Sequence, residues 1–315
     1  MKIVITDGYT VNPGDLNWEA IAAFGELVIY ERTSSNQIVE RCTEASIILT
    51  NKVPIDRNSI LQLPFLKLIN VTATGYNVVD ITAAKEKNIV VCNVPAYGTS
   101  SVAQHSIALL LELANHVGLH ANSVAAGEWQ RSVDWSYAKT SLIELDGKTL
   151  GIIGYGNIGQ RTASIARSMG MKIIYNSTTP KKNDPAQFRN LESSFAESDF
   201  ISLHCPLKTD NAGFVNQKMI DLMKPSAFLI NTARGQLINE RDLADALNSG
   251  RIAGAALDVL STEPPSEDNP LLSARNCIIT PHNAWKSREA RQRILDITAS
   301  NIAAFLKNNP VNVVN

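Results

Sequence analysis

The sequence predicts an α/β protein built from two doubly wound, parallel-sheet domains. Three observations carry that prediction. Short apolar runs alternate with amphipathic stretches twice along the chain, once over residues 3–92 and again over residues 150–280. A glycine-rich turn, Gly154-x-Gly156-x-x-Gly159, opens the second series. The length of 315 residues is about twice that of one typical domain, and each half is long enough to bury a core of its own.

The elements follow in order. Ile3 to Thr6 reads as a strand, Leu16 to Phe24 as a helix and Leu27 to Tyr30 as a second strand. Ser34-Ser35-Asn36 is a cap signal for a helix over Gln37 to Cys42. Strands are expected at Ala45 to Thr50, Leu66 to Val71 and Ile89 to Cys92, with a helix over Ile81 to Glu86. Asn93-Val94-Pro95-Ala96-Tyr97-Gly98 looks like a boundary, after which one long helix runs from Val102 to about Val117. The second series places strands at 149–153, Lys172–Tyr175, Phe200–His204, Ala227–Asn231, Gly254–Asp258 and Cys277–Thr280, with a helix over Gln160 to Met169. No internal repeat or low-complexity segment interrupts the pattern.

The glycine turn has a chemical reading. It follows a strand, opens a helix and is succeeded by a second strand, which is the context that gives the motif meaning. Gly154 permits the tight turn, Gly156 lets backbone N–H groups approach a diphosphate, and Gly159 lets helix and strand pack closely. The helix N-terminus adds unpaired donors and a partial positive charge. Dinucleotide binding is therefore expected here.

Composition narrows the partners. The net charge of −1 points to neither nucleic acid nor an anionic membrane surface. The N-terminus enters a strand at once and lacks the apolar segment of a signal peptide. The most apolar helical stretch, Ser106 to Leu113, is interrupted by Glu112 and too short to span a bilayer. Cys42, Cys92, Cys205 and Cys277 are scattered without paired spacing, so they read as reduced core residues of a cytoplasmic protein rather than metal ligands or disulfides. No metal site is expected.

In a doubly wound sheet, ligands bind beyond the carboxyl ends of the strands. Just past those ends lie Thr232-Ala233-Arg234-Gly235, Val259 to Glu263 and Pro281-His282. An arginine, a glutamate and a histidine thus converge on one rim. With their flanks, Asn231-Thr232-Ala233-Arg234-Gly235, Ala256-Leu257-Asp258-Val259 leading to Glu263-Pro264, and Thr280-Pro281-His282-Asn283-Ala284-Trp285, the chain resembles the D-isomer-specific 2-hydroxyacid dehydrogenase family. Ala73-Thr74-Gly75-Tyr76-Asn77, the stretch from Gly254 to Leu260, Asp268-Asn269-Pro270-Leu271 and the His-x-Ala-Trp at His282 are similar to its glycerate dehydrogenase (hydroxypyruvate reductase) branch.

The resemblance implies a Rossmann-type cofactor domain over residues 99–285 and a flavodoxin-like substrate domain over 1–98 and 286–315, with a cleft between them and the tail as mostly one amphipathic helix. It implies hydride transfer between NAD or NADP and a short 2-keto/D-2-hydroxy acid. Hydroxypyruvate/D-glycerate leads, with glyoxylate, phenylpyruvate or 2-ketogluconate as alternatives. A non-catalytic NAD(H)-binding regulator on the same fold is the reading from another class. The catalytic roles suit the chemistry. A histidine, His282, can give a proton near neutral pH. A carboxylate, Glu263, would hold the imidazole and favour its charged form. A planar fork, Arg234, would bind the substrate carboxylate and polarise the keto group.

Other roles are carried by the resemblance alone. Tyr155, Gly156, Asn157 and Ile158 would hold the cofactor's phosphates. Asn176, Ser177 and Thr178 would meet the adenosine ribose, with Cys205 and Pro206 alongside. Thr232, Ala233, Asp258, His282 and Ala284 would surround the nicotinamide, Asp258 receiving its carboxamide. Lys52, Val53, Thr74, Gly75 and Tyr76, with Arg234, would bind the substrate. One departure stands out. NAD-using relatives carry a carboxylate at the end of the second strand for the ribose 2′-hydroxyl. Asn176 leads here into Ser177-Thr178-Thr179 with Lys181 and Lys182 behind, which leaves NAD and NADP both open.

Val102, Ile107, Leu109, Leu110, Leu111, Leu113 and Val117 make the long helix apolar on more than one face. Such a helix should be buried all round, and the resemblance implies that this region pairs two subunits as a homodimer. Burial between the two domains of one chain would satisfy the same pattern. His105, His116, His120 and His204 are expected to serve packing or the surface.

Overall fold

The computed structural model describes residues 1–181 and 184–315. The chain divides into two compact units, one of residues 1–98 with 285–315 and the other of residues 99–284. The first unit runs β1 (Lys2–Ile5), α1 (Gly8–Val11), α2 (Glu19–Ala22), β2 (Glu26–Ile29), α3 (Ile38–Cys42), β3 (Ile47–Thr50), α4 (Arg57–Leu61), β4 (Leu68–Val71), α5 (Ile81–Glu86) and β5 (Val90–Cys92). Its sheet is parallel, in the order β2-β1-β3-β4-β5. β3 and β4 are buried along their whole length, as strands covered on both faces must be, which is why they read as mostly apolar runs rather than alternating ones. Asp56 and Asp80 cap α4 and α5, each accepting the N–H three residues on at 2.8 Å.

The second unit runs α6 (Thr99–Asn115), α7 (Val117–Ala125), β6 (Thr149–Ile153), α8 (Asn157–Ser168), β7 (Lys172–Asn176), β8 (Gln187–Phe188), α9 (Leu191–Glu197), β9 (Phe200–Leu203), α10 (Gln217–Ile220), β10 (Phe228–Asn231), α11 (Glu240–Ser249), β11 (Gly254–Leu257) and β12 (Cys277–Ile279). Its parallel sheet has the order β12-β11-β10-β9-β6-β7-β8. The chain therefore reverses its winding at β6/β9, the place where a crevice opens beyond the strand ends. Both faces are packed: Phe195, Leu229, Leu243 and Ala255 lie in one cluster, Leu110, Ile152, Ala163 and Ile230 in the other. The remaining helix, α12 (Arg288–Leu306), belongs to the first unit and packs on α2 and β4. Its Arg291, 7% exposed, forks onto both oxygens of Asp15 at 2.6 Å. After it, Val313 bridges Cys92 in antiparallel fashion and covers the outer edge of β5.

The two doubly wound parallel sheets are as the sequence predicts, but local details differ. The helix expected over Leu16 to Phe24 shrinks to one turn at Glu19–Ala22, and a further turn, α1, forms upstream. The Asn12 carboxamide is the reason: it accepts from Gly14 and Leu16 N–H and donates to the Leu16 carbonyl, so it competes for the backbone with the helix. The helix α8 starts three residues earlier than expected, taking Gly159 into its first turn. The long helix expected to about Val117 breaks at His116, whose φ of 47° is left-handed, and Glu112 accepts the Gly118 N–H beyond the break. Val117 is consequently not on a buried face but 62% exposed at the start of α7. The tail is mostly one helix, as expected, ending at Leu306, and β8 is an addition to the expected strands.

Candidate active site

The glycine turn sits at the end of β6, at the reversal point. Gly154 has φ +97°, and a Cβ there would lie 2.4 Å from the Cys205 nitrogen. A Cβ on Gly159 would lie 2.3 Å from the Gly154 carbonyl oxygen. These two glycines are demanded by the turn and by the close approach of β9's end. Gly156 differs: a Cβ there meets nothing within 4 Å. The space over it is open, and the first-turn N–H groups of α8 lack helical partners. That cradle fits a diphosphate. Tyr155 offers only its backbone to it. Its ring is 4% exposed, stacks on Tyr175 with centroids 4.1 Å apart and donates its hydroxyl to Asp184. Burial and that carboxylate push the phenol up to about 12.

Around the turn, Asn176 accepts the Gly154 N–H on its carbonyl and donates its Nδ2 to the Arg189 carbonyl at 3.0 Å. The Ser177 hydroxyl donates to the Thr179 carbonyl, and Thr178 is exposed. Lys181 donates its backbone N–H to the Tyr175 hydroxyl; Lys182 lies outside the described residues. At the end of β9, desolvation pulls the His204 imidazole down to about 4 and pushes the Cys205 thiol up to about 11. Both are therefore neutral at pH 7, and Cys205 is no nucleophile. Pro206 follows and accepts from the Asn211 carboxamide.

The next three strand ends bring Arg234, Glu263 and His282 into the second unit's loops. Asn231, fully buried, accepts the Ala233 N–H and donates to the Arg234 carbonyl, both at 2.9 Å. It shapes the Thr232-Ala233-Arg234 turn and leaves the Arg234 guanidinium exposed, its Nη1 donating to Ala233. Gly235 brings this turn against the next: a Cβ there would sit 1.9 Å from the Leu260 carbonyl carbon. That next loop is braced by Glu240, which accepts from Ser261 N–H and from Asn269. It carries Glu263 before a cis bond to Pro264. Glu263 accepts the Leu260 N–H on Oε1, and its Oε2 lies 2.5 Å from His282 Nδ1. The pair leaves Nε2 of His282 as the ring atom free to face a substrate.

His282 stands in a left-handed conformation, φ 50°, which costs about 1–3 kcal/mol for a residue with a side chain. Asp258 outweighs that cost. Its carbonyl accepts the His282 N–H at 2.8 Å. Its carboxylate, 1% exposed, accepts the N–H groups of Asn283 and Ala284, each at 2.9 Å, and charge-assisted bonds contribute about 1.5–3 kcal/mol apiece. Asp258 is thus the anchor of the His282 turn, a role the sequence did not suggest.

Asn231 and Glu240 were also missed. The available signal was a polar residue ending an apolar strand and an acidic residue opening the following helix. Ala284 is buried beneath the His282 turn, and the hydroxyls of Thr232 and Ser106 lie 2.9 Å apart within the unit. Among the described residues, no group of three or more His, Cys, Asp and Glu could hold a metal ion.

In the first unit, Asp7, 5% exposed, accepts the N–H groups of Asn51 and Lys52 and so forms the loop after β3. Asn51 donates on to the Thr72 carbonyl at the end of β4. Val53, expected against substrate, has its side chain in the core, because Thr50 binds its carbonyl and turns the loop inward. Thr74 is tied to Val94 and Asn93, which leaves the Gly75–Tyr76 corner projecting, with Tyr76 36% exposed.

The family model for the NAD-binding domain of D-isomer specific 2-hydroxyacid dehydrogenases matches residues 107–284. The chain belongs to that family. A hydroxypyruvate reductase of Blautia hydrogenotrophica is 49% identical over the whole of both chains. A glycerate dehydrogenase of Methylorubrum extorquens is 41% identical over 90% of each. Among solved structures, an acyclic imino acid reductase in complex with NADPH and D-arginine superposes with a TM-score of 0.87 at 31% identity, each chain covered fully. As a D-2-hydroxyacid dehydrogenase the chain is an oxidoreductase acting on 2-hydroxy and 2-keto acids with NAD or NADP. The non-catalytic regulator is set aside. The open cradle over Gly156 and the donor-rich start of α8 fit the cofactor's diphosphate.

Proposed function

We propose that the chain reduces hydroxypyruvate to D-glycerate, with His282 as proton donor. The observation that carries the chemistry is the 2.5 Å pairing of His282, past the end of β12, with Glu263, in the loop after β11, the strand beside the one that leads into the Arg234 turn. The full-length likeness to a hydroxypyruvate reductase supports the substrate. Bound NADH or NADPH supplies the hydride that reduces C2. His282 delivers a proton to the carbonyl oxygen from Nε2, while Glu263 on Nδ1 orients the ring. Arg234 forks onto the substrate carboxylate and withdraws electron density from the keto group. Within the first unit, the N–H groups of Gly75 and Tyr76 and the Lys52 loop are the candidate substrate contacts. Asn176, Ser177 and Thr178 meet the adenosine ribose, and Thr232, Ala233 and Ala284 line the nicotinamide.

We further propose a cytoplasmic homodimer. Val117, Leu119, Val124, Trp129, Trp135 and Leu142 are all exposed on the second unit, more apolar surface than one stretch of a monomer usually leaves in water. All four cysteines are free, which suits a reducing compartment. A steady-state panel of hydroxypyruvate, glyoxylate, phenylpyruvate and 2-ketogluconate, each with NADH and with NADPH, tests the substrate. Hydroxypyruvate is expected to give the highest kcat/KM; a higher value for glyoxylate would shift the assignment to that acid.

A further inference from the structure

We infer that His105 is a positioning residue for the proton donor, acting through Thr280 and Asp258. The inference rests on the reading of His282 above. His105 Nε2 lies 3.1 Å from Thr280 Oγ1 and 3.5 Å from Asp258 Oδ1. Thr280 Oγ1 lies 2.6 Å from the same Asp258 oxygen. These distances assign the hydrogens. A carboxylate that already takes the Asn283 and Ala284 N–H groups is an acceptor, so the threonine hydrogen points at Asp258. The lone pair of Thr280 then faces His105, and Nε2 must carry the proton. The relay runs from His105 to Thr280 to Asp258, and from Asp258 to the two amides that hold His282 at φ 50°.

His105 is well placed to set that geometry because its helix is rigid. In α6, Val102, Ile107, Leu110 and Leu113 are buried. The same helix grips the neighbouring backbone through Ser101, whose hydroxyl donates to the Ala284 carbonyl at 2.7 Å. The segment 280–284 is therefore bonded to α6 at both ends. Without the Nε2 donor, the Thr280 hydroxyl is released to rotate, and the carboxylate loses the group that fixes its orientation under the turn.

The test compares His105→Gln, His105→Asn and His105→Leu. Glutamine places an N–H donor the same number of bonds from the backbone as Nε2; asparagine does not reach. His105→Leu and His105→Asn are expected to lower kcat about three- to tenfold, the range set by one net hydrogen bond, with KM for the keto acid and the Kd of NADH within twofold of wild type. Amide hydrogen exchange at Asn283 and Ala284, measured without cofactor, should quicken in both. His105→Gln should restore kcat and protection. Thr280→Val removes the relay without removing the histidine and should match His105→Leu, the double variant being no worse than either. Wild-type kcat and exchange in His105→Leu, a glutamine no better than asparagine, or additive losses would overturn the inference. His282→Ala separates the two readings: if it loses turnover while His105→Leu does not, only the role of His105 falls. If His282→Ala keeps kcat, the proton donor itself is misassigned, and the His105 inference falls with it.

Discussion

The carboxamide of Asn231 donates to the Arg234 carbonyl at 2.9 Å, so a fully buried side chain decides where an exposed guanidinium starts. Replacing Asn231 with Ala removes both turn bonds and leaves a small void. We expect a loss of about tenfold or more in kcat/KM, expressed chiefly in KM for the keto acid, and about 2–3 kcal/mol of stability. Arg234→Lys should be nearly as damaging as Arg234→Ala, because a point charge cannot reproduce a planar fork. Steady-state kinetics on the three variants check both statements; an Arg234→Lys enzyme with wild-type constants would remove Arg234 from substrate binding.

His282→Ala is expected to lose roughly 10²–10⁴-fold in kcat, the usual worth of a general acid, while NADH still quenches protein fluorescence with wild-type affinity. Glu263→Gln keeps a neutral partner on Nδ1 but removes the charge-assisted bond that holds the ring. Its kcat should fall between those of the wild type and His282→Ala, and pre-steady-state kinetics will show whether the loss is in the chemical step.

Asn176 is the proposed determinant of cofactor choice. Its Nδ2 is held by the Arg189 carbonyl, a bond that aspartate cannot make. In Asn176→Asp the carboxylate must therefore face away from Arg189. A negative charge at this rim should penalise NADPH by about 1–2 kcal/mol, or roughly ten- to thirtyfold in kcat/KM, at an effective dielectric near 20. The values for NADH should change little. A wild type that already prefers NADH a thousandfold would place the discrimination elsewhere.

His204 predicts a pH dependence of stability. The folded chain holds the ring neutral down to about pH 4, whereas the unfolded chain protonates it near 6.5. The unfolded state therefore binds more protons between those values, and stability falls as pH drops through that window, by at most about 3 kcal/mol. His204→Gln should flatten this part of the curve. Denaturant midpoints at pH 7.5, 5.5 and 4.5 for the two proteins measure it; parallel curves would show that His204 is not the group responsible.

Trp135 is 91% exposed on the surface proposed to pair two chains. Trp135→Glu together with Leu119→Glu should leave the fold intact and convert a dimer to a monomer in sedimentation velocity. A wild type that sediments as a monomer at micromolar concentration would refute the pairing.

The regular parts of the fold were legible because buried parallel strands leave a strong mark. β3, β4, β6 and β10 are predominantly apolar runs, and each was located to within a residue or two. The positions of Arg234 and His282 in the candidate site were legible because both stand just past such strands. What escaped depends on side chains that act on the backbone at a distance. Asn12 dissolves a helix, Asp7 shapes the loop at Lys52, and Asp258 supports His282 from beneath. Nothing in spacing or periodicity distinguishes these from ordinary polar residues, since their effect exists only once strands far apart in sequence are side by side. The burial of the Val53 side chain was hidden for the same reason: the Thr50 bond that turns it inward is a product of the folded loop.

The first unit is sewn together from both ends of the chain, and this has a bearing on its biosynthesis. The strands β1 to β5 leave the ribosome early, but α12, which lays Ile294, Leu295 and Ile302 into that unit's core, emerges only after the entire second unit has been made. At roughly 5–20 residues per second that interval is on the order of tens of seconds. During it the buried polar trio of Asn70, Thr298 and Asn301 is incomplete, and one face of a five-stranded sheet stays open to water. The second unit, contiguous in sequence, can close first and stand as a finished neighbour. Nascent chains stalled before residue 285 should therefore resist protease over 99–284 and be cut within 1–98, and this open face is where a chaperone would bind.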